Sequence, residues 1–145
     1  MATVELSFTA LPAHVRTARL VATAVARRSG VDESLMDEVR LAVGEACSRA
    51  VAGHQMYCPA EPVRLSLTDL AGRFEVEVMD TCAPGARWPG GSGSDAAAGQ
   101  DGNGIGLPAG LGIAVIEGLA DEVKISETAA GTSIRMSWPS TGSPR

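Results

Sequence analysis

Four short segments of this chain alternate apolar and polar residues, and that period of two limits the fold more tightly than any other feature. Val4, Leu6 and Phe8 alternate within "TVELSF", and the pattern returns at Val63, Leu65 and Leu67, at Phe74, Val76 and Val78, and at Ile134, Met136 and Trp138. Successive side chains of a strand point to opposite faces, so each segment offers one apolar side. The opposite sides carry Glu5, Arg64, Ser66, Glu75, Glu77, Arg135 and Ser137, which tells against burial on both. A largely antiparallel sheet with one covered face and one wet face satisfies both requirements.

The cover is expected to be helical. Pro12 suits the first turn of a helix, and "AHVRTARLVATAVARR" runs to Gly30 with Val15, Ala18, Ala22 and Val25 on one stripe. Asp32 is expected to cap a second helix reaching about Ala52, with Met36, Val39, Val43, Ala46 and Ala50 facing the core. A third helix, "IAVIEGLADEV", is expected after Gly112. Strand, two helices, two strands, helix and a final strand pair make an α/β fold, a two-layer sandwich of a mostly antiparallel mixed sheet with helices on one face. A chain of 145 residues has room for one core, placed at 1–138, and the tail 139–145, "PSTGSPR", is expected to be disordered.

Charge and composition remove several functions. The formal net charge is −5 and the basic residues form no long run, so a nucleic-acid backbone has little to attract it. No apolar run is long enough for a membrane helix and the N-terminus lacks the order of a signal peptide, so the protein is expected to be soluble and cytoplasmic. Cys47, Cys58 and Cys82 are odd in number and lack C-x-x-C spacing, which suggests neither a disulfide framework nor zinc, and buried or idle thiols are expected. His54 and Cys58 are spaced as two metal ligands can be, but two ligands do not make a site, and no metal is assigned.

Between Gly85 and Gly112 the character of the chain changes. Ten of its seventeen glycines fall there, with "GGSGSDAAAGQDGNGIG" as the longest low-complexity run. Composition alone fits a flexible linker, whereas so long a loop inside a compact domain fits a lid, placed at about 85–110. "GLG", Gly110 to Gly112, opens the third helix, where backbone amides can face an anion; a tight turn explains the same residues. Asp80 ends the strand "FEVEVMD", where its carboxylate can accept from a ligand amine or cap the next turn. Glu45 and Arg49, one helical turn apart, read equally as a surface ion pair or as the wall of a site.

In combination these features resemble the bacterial anti-sigma-factor serine kinases of the GHKL ATPase superfamily, with its Bergerat ATP-binding fold. "FTALPAHVRTAR", "MDEVRLAVGEACSRA", "GLGIAVIEGLADEV" and "GTSIRM" carry the likeness, in the family's order, from Val4 to Trp138. The resemblance implies ATP or ADP as ligand, a sigma factor and a STAS-domain anti-anti-sigma factor as partners, and pairing into a homodimer as some relatives do. It places Glu45 as the general base that takes a proton from a partner serine. Asp80 becomes the acceptor of the adenine amine, Thr132 the hydroxyl that supports it, and Gly110 and Gly112 the phosphate loop. Arg16 and Arg19 fall where the family recognises its partners.

The chain departs from that pattern where metal and phosphate would be held. Arg49 stands where these kinases have an asparagine that coordinates Mg²⁺, and a guanidinium offers donors only. At about 4 Å and an effective dielectric of about 20, each pair of like unit charges costs about 4 kcal/mol, so Arg49 would repel the ion and take over contact with phosphate. In "DTCAPG" Cys82 and Pro84 occupy the family's glycine positions, with Gly85 as a partial substitute, and Pro108 stands where a basic lid residue is usual. The expected function is an anti-sigma factor with a degenerate nucleotide site, Mg²⁺ being doubtful. The alternative is an active serine kinase.

Overall fold

The computed structural model describes residues 2–82, 109–128 and 131–141. Along the chain these form β1 (Ala2–Phe8), α1 (Pro12–Ser29), α2 (Met36–Tyr57), β2 (Val63–Leu70), β3 (Arg73–Met79), α3 (Ala109–Leu119), β4 (Glu122–Thr128) and β5 (Gly131–Pro139). The five strands make one sheet in the order β1-β2-β3-β5-β4, and every described pair is antiparallel. Register follows the alternation: Leu65, Val78 and Ile134 lie side by side across three strands, as do Leu67, Val76 and Met136. A shift of one residue would turn this apolar set to water.

The helices cover that apolar face. Val15, Ala18 and Ala22 of α1 are buried, as are Met36, Val39, Val43, Ala46 and Ala50 of α2, all meeting the strand residues in one core. On α1 the buried stripe continues at Ala26 and Ser29, while Val25 is only partly buried. Phe74 and Trp138 stack at 6.3 Å between ring centroids, and Trp138 Nε1 donates to Leu119 O, which ties β5 to the end of α3. At the sheet's edge the cover thins, leaving Val4 38% exposed. On the wet face Arg135 lies 3.7 Å from both Glu75 and Glu77, and Arg73 bonds Asp121 and Ser137.

Several boundaries differ from the sequence expectation, each for a local reason. Asp32 caps as expected, accepting from Ser34 N, but the turn it caps is a short 3₁₀ segment, Glu33–Leu35, that runs into α2. Helix α2 continues to Tyr57, five residues past Ala52. Helix α3 begins at Ala109 rather than after Gly112, so both glycines lie inside its first turn. It ends at Leu119, and Glu122 and Val123 belong to β4, because pairing with Ser137 and Met136 overrides the helical spacing. Residues 139–141, expected in the tail, complete β5 at Pro139; the N–H groups of Ser140 and Thr141 then bond Gly72 O and Gly30 O. Positions 142–145 lie outside the described residues. No helix among the described residues is long and apolar enough to cross a membrane.

Candidate functional site

The site forms where the middle of α2, the end of β3 and the first turn of α3 meet. Glu45 lies on α2, half-buried, and α3 comes so close that a methyl group added at Gly112 would stand 2.7 Å from Glu45 Oε2. Burial raises the carboxyl's proton affinity above the usual range for a glutamate, and the charge of Arg49 works against that rise. A turn further on, Arg49 is part-buried. Burial lowers its proton affinity, while the charges of Glu45 and then Asp80 oppose the change. Arg49 therefore belongs to the field of both carboxylates and is no isolated surface charge.

Asp80 follows β3 directly and is only 6% exposed. Its N–H donates to Thr132 O at 2.9 Å, and its Oδ1 accepts from Cys82 N–H at 3.2 Å. The backbone of β5 passes beside it at Gly131, whose φ is 142°, and a Cβ there would stand 2.7 Å from Asp80 Oδ1 and closer still to Asp80 O. Only a glycine permits both that backbone angle and that approach. Sequence reading passed over Gly131, although a glycine just before Thr132 was the available signal.

The expected site residues thus fall into three groups. Glu45, Arg49, Asp80, Gly112 and Thr132 come together, with Gly110 two residues before Gly112 on the same helical turn. Gly85, Pro84 and Pro108, with the proposed lid apart from its last residues 109 and 110, lie outside the described residues. Arg16 and Arg19 stand on α1, Arg16 exposed and Arg19 partly buried. The Arg19 side chain lies across Gly44, where an added methyl would stand 2.7 Å from its Cδ, so it rests one residue from Glu45 along α2.

The cysteines correct the expectation of idle thiols. Cys58 and Cys82 form a disulfide across 24 positions of sequence, their Cα atoms 5.7 Å apart, because the β2–β3 hairpin returns the end of β3 to the end of α2. Cys47 alone is free, and it is buried as expected. With His54 the two sulfurs form a cluster within 4.8 Å, a geometry in which a metal could be considered. Both ring nitrogens of His54 are already committed. Nε2 accepts from Thr81 N–H at 3.0 Å, which leaves the proton on Nδ1 to be donated to Glu61 O at 2.9 Å. The buried imidazole fastens backbone to backbone and has no lone pair to spare for an ion.

The structure is an α/β sandwich with a carboxylate on the second helix, a buried aspartate just after a central strand and glycines in the first turn of the next helix. The sequence matches the histidine kinase-like ATPase domain over residues 8–138, and the chain belongs to that family, the GHKL ATPases. Among solved structures it is similar to the RsbU and RsbW domains of Rv1364c from Mycobacterium tuberculosis, with a TM-score of 0.65 at 20% identity. That similarity covers 95% of this chain and 32% of the other, so this chain spans about one third of the length of the chain it matches. No curated protein matches the sequence.

Proposed function

We propose that this chain is an anti-sigma factor that sequesters an alternative sigma factor and is released by a STAS-type anti-anti-sigma partner, its nucleotide site retained in outline and weakened as a catalyst. What supports the reading is family membership, the family order of the motifs, and the similarity in fold to a protein that includes an RsbW domain. The weakening rests on one observation, the cation Arg49 set in the field of Glu45 and Asp80. A side chain with donors alone cannot coordinate Mg²⁺ there and is suited to phosphate oxygens. ATP or ADP would sit with its adenine amine at Asp80 and its phosphates toward Gly110 and Gly112. Arg16 and Arg19 would contact the partner, whose role in transcription would place the complex in the cytoplasm. A homodimer is compatible with this role.

Titration with ATP and ADP in the presence and absence of Mg²⁺ tests the nucleotide half of the proposal. Affinity that ignores the metal, with no phosphate transferred to a serine of a STAS partner, is the expected outcome. Arg49→Asn should then introduce metal dependence. Capture of sigma factor by the parent, weakened by Arg19→Ala without loss of fold, tests the partner half.

The kinase reading has one observation in its favour: Glu45 is present with its proton affinity raised, as suits a general base. Mg²⁺-dependent ATP binding followed by labelling of a partner serine would establish that reading in place of the first.

A further inference from the structure

We propose that Cys58–Cys82 is a reversible thiol–disulfide exchange site, opened by small thiols such as glutathione, whose state sets how firmly Asp80 is held. The bond joins the residue that follows α2 to the residue two beyond Asp80. Cys82 is also the residue whose N–H bonds Asp80 Oδ1. Constraint at Cys82 is thereby passed to the one buried carboxylate at the end of β3.

Other bonds besides the link hold the neighbouring chain. Apart from it, the β2–β3 register extends as far as Met79, and Asp80 N–H bonds Thr132 O. Thr81 stays anchored twice, through its N–H to His54 Nε2 and its hydroxyl to Pro62 O. These bonds stop at Thr81, so among the described contacts the disulfide is the covalent hold on Cys82. Opening it therefore acts locally, as a switch requires. The same cluster is a poor metal site because both nitrogens of His54 are engaged.

Cys58 is partly exposed and Cys82 is 4% exposed, so an incoming glutathione thiolate meets the Cys58 sulfur first. Attack forms a bond between glutathione and Cys58 and breaks Cys58–Cys82, and the Cys82 thiolate leaves and takes up a proton. A second glutathione thiolate attacks the glutathione sulfur of this mixed disulfide. It expels the Cys58 thiolate, which is protonated, and releases glutathione disulfide; two thiols have been oxidised and one disulfide reduced. The reverse sequence, with glutathione disulfide as oxidant, restores the bond. Cys47 stays out of the exchange, being fully buried, with its thiol pushed up to about 12 by that burial. In a compartment kept reducing, such a bond would follow the thiol pool.

The exchange is independent of the proposed nucleotide role, while its consequence for ligand affinity rests on that role. Full-length protein equilibrated in glutathione buffers of graded ratio, quenched in acid and alkylated, would be read by peptide mass spectrometry. Cys58 and Cys82 should gain and lose label together and reversibly, with Cys47 unlabelled and circular dichroism unchanged. Amide exchange in the peptide bearing Thr81 and Cys82 should quicken by about tenfold on reduction, and Cys58→Ser should reproduce the reduced state under oxidising conditions. The proposal fails if the pair opens only when the protein unfolds, if amide exchange is the same in both states, or if reduced protein takes up Zn²⁺ added alone and then resists reoxidation. ADP binding, measured in parallel, should weaken on reduction. Absence of ADP binding in both states, with the exchange intact, would count against the nucleotide reading and leave the redox site standing.

Discussion

Gly112 of α3 and Glu45 of α2 are packed so closely that the missing side chain of one makes room for the carboxylate of the other, the space for a Cβ ending 2.7 Å from Oε2. The obstacle is the far end of a flexible side chain, which can swing aside. Gly112→Ala should therefore leave stability within about 1 kcal/mol of the parent, since alanine gains about 1 kcal/mol in helix propensity. The effect should appear at Glu45, whose carboxyl signal in an NMR titration moves as the group is displaced. A loss beyond about 3 kcal/mol in urea would mean that α3 had been forced off α2.

At Gly131 the neighbour is backbone, which cannot swing aside. Gly131→Ala combines a φ of 142° with a clash against Asp80 O and should cost about 2–4 kcal/mol in urea denaturation. Gly72 supplies the control, with a φ of 79° and nothing within 4 Å of an added Cβ. Gly72→Ala should cost about 1–2 kcal/mol for backbone strain alone. Equal losses at the two positions would refute the close approach to Asp80.

The charge of Arg49 should be visible in the pH dependence of stability. Burial raises Glu45 in the folded state, so between the ordinary glutamate value and the raised one the native state binds more protons than the unfolded state. Stability from this group therefore falls as pH rises through that window and is recovered as pH falls. Arg49→Met removes the opposing cation, raises Glu45 further and widens the window. Urea midpoints from acid to neutral pH should decline more steeply in Arg49→Met than in the parent, and adding Glu45→Gln should abolish the difference. An unchanged slope would separate the two side chains.

His54 is fully buried and joins Glu61 O to Thr81 N–H. His54→Ala leaves a cavity and two unpaired backbone groups, and a loss of about 3–5 kcal/mol in thermal or chemical unfolding is expected. If the imidazole were instead a metal ligand, parent stability would respond to a chelator. No such response is expected.

Much of the fold was legible because alternation and helical spacing are local. Leu65, Val78 and Met136 could be assigned to the core from their neighbours in sequence, and they are buried there. Glu45, Arg49 and Asp80 each had an ordinary structural reading on that footing, and the family resemblance of the motifs around them is what marked them as site candidates. The start of α3 was misplaced because glycine lowers helix propensity, and only packing of the first turn against Glu45 offsets it. Val123 fits a helical stripe as well as a strand, and the partner strand decided between them.

Periodicity, in a chain this short, was enough to determine the order of most strands and helices and the wet and covered faces of the sheet, since each depends on positions a few residues apart. The meeting of Cys58 with Cys82, of Arg19 with Gly44 and of Asp80 with Gly131 was decided by tertiary structure alone. Those pairs are separated by 24 or more positions in sequence, and no local spacing encodes the sheet pairing and helix packing that bring them into contact.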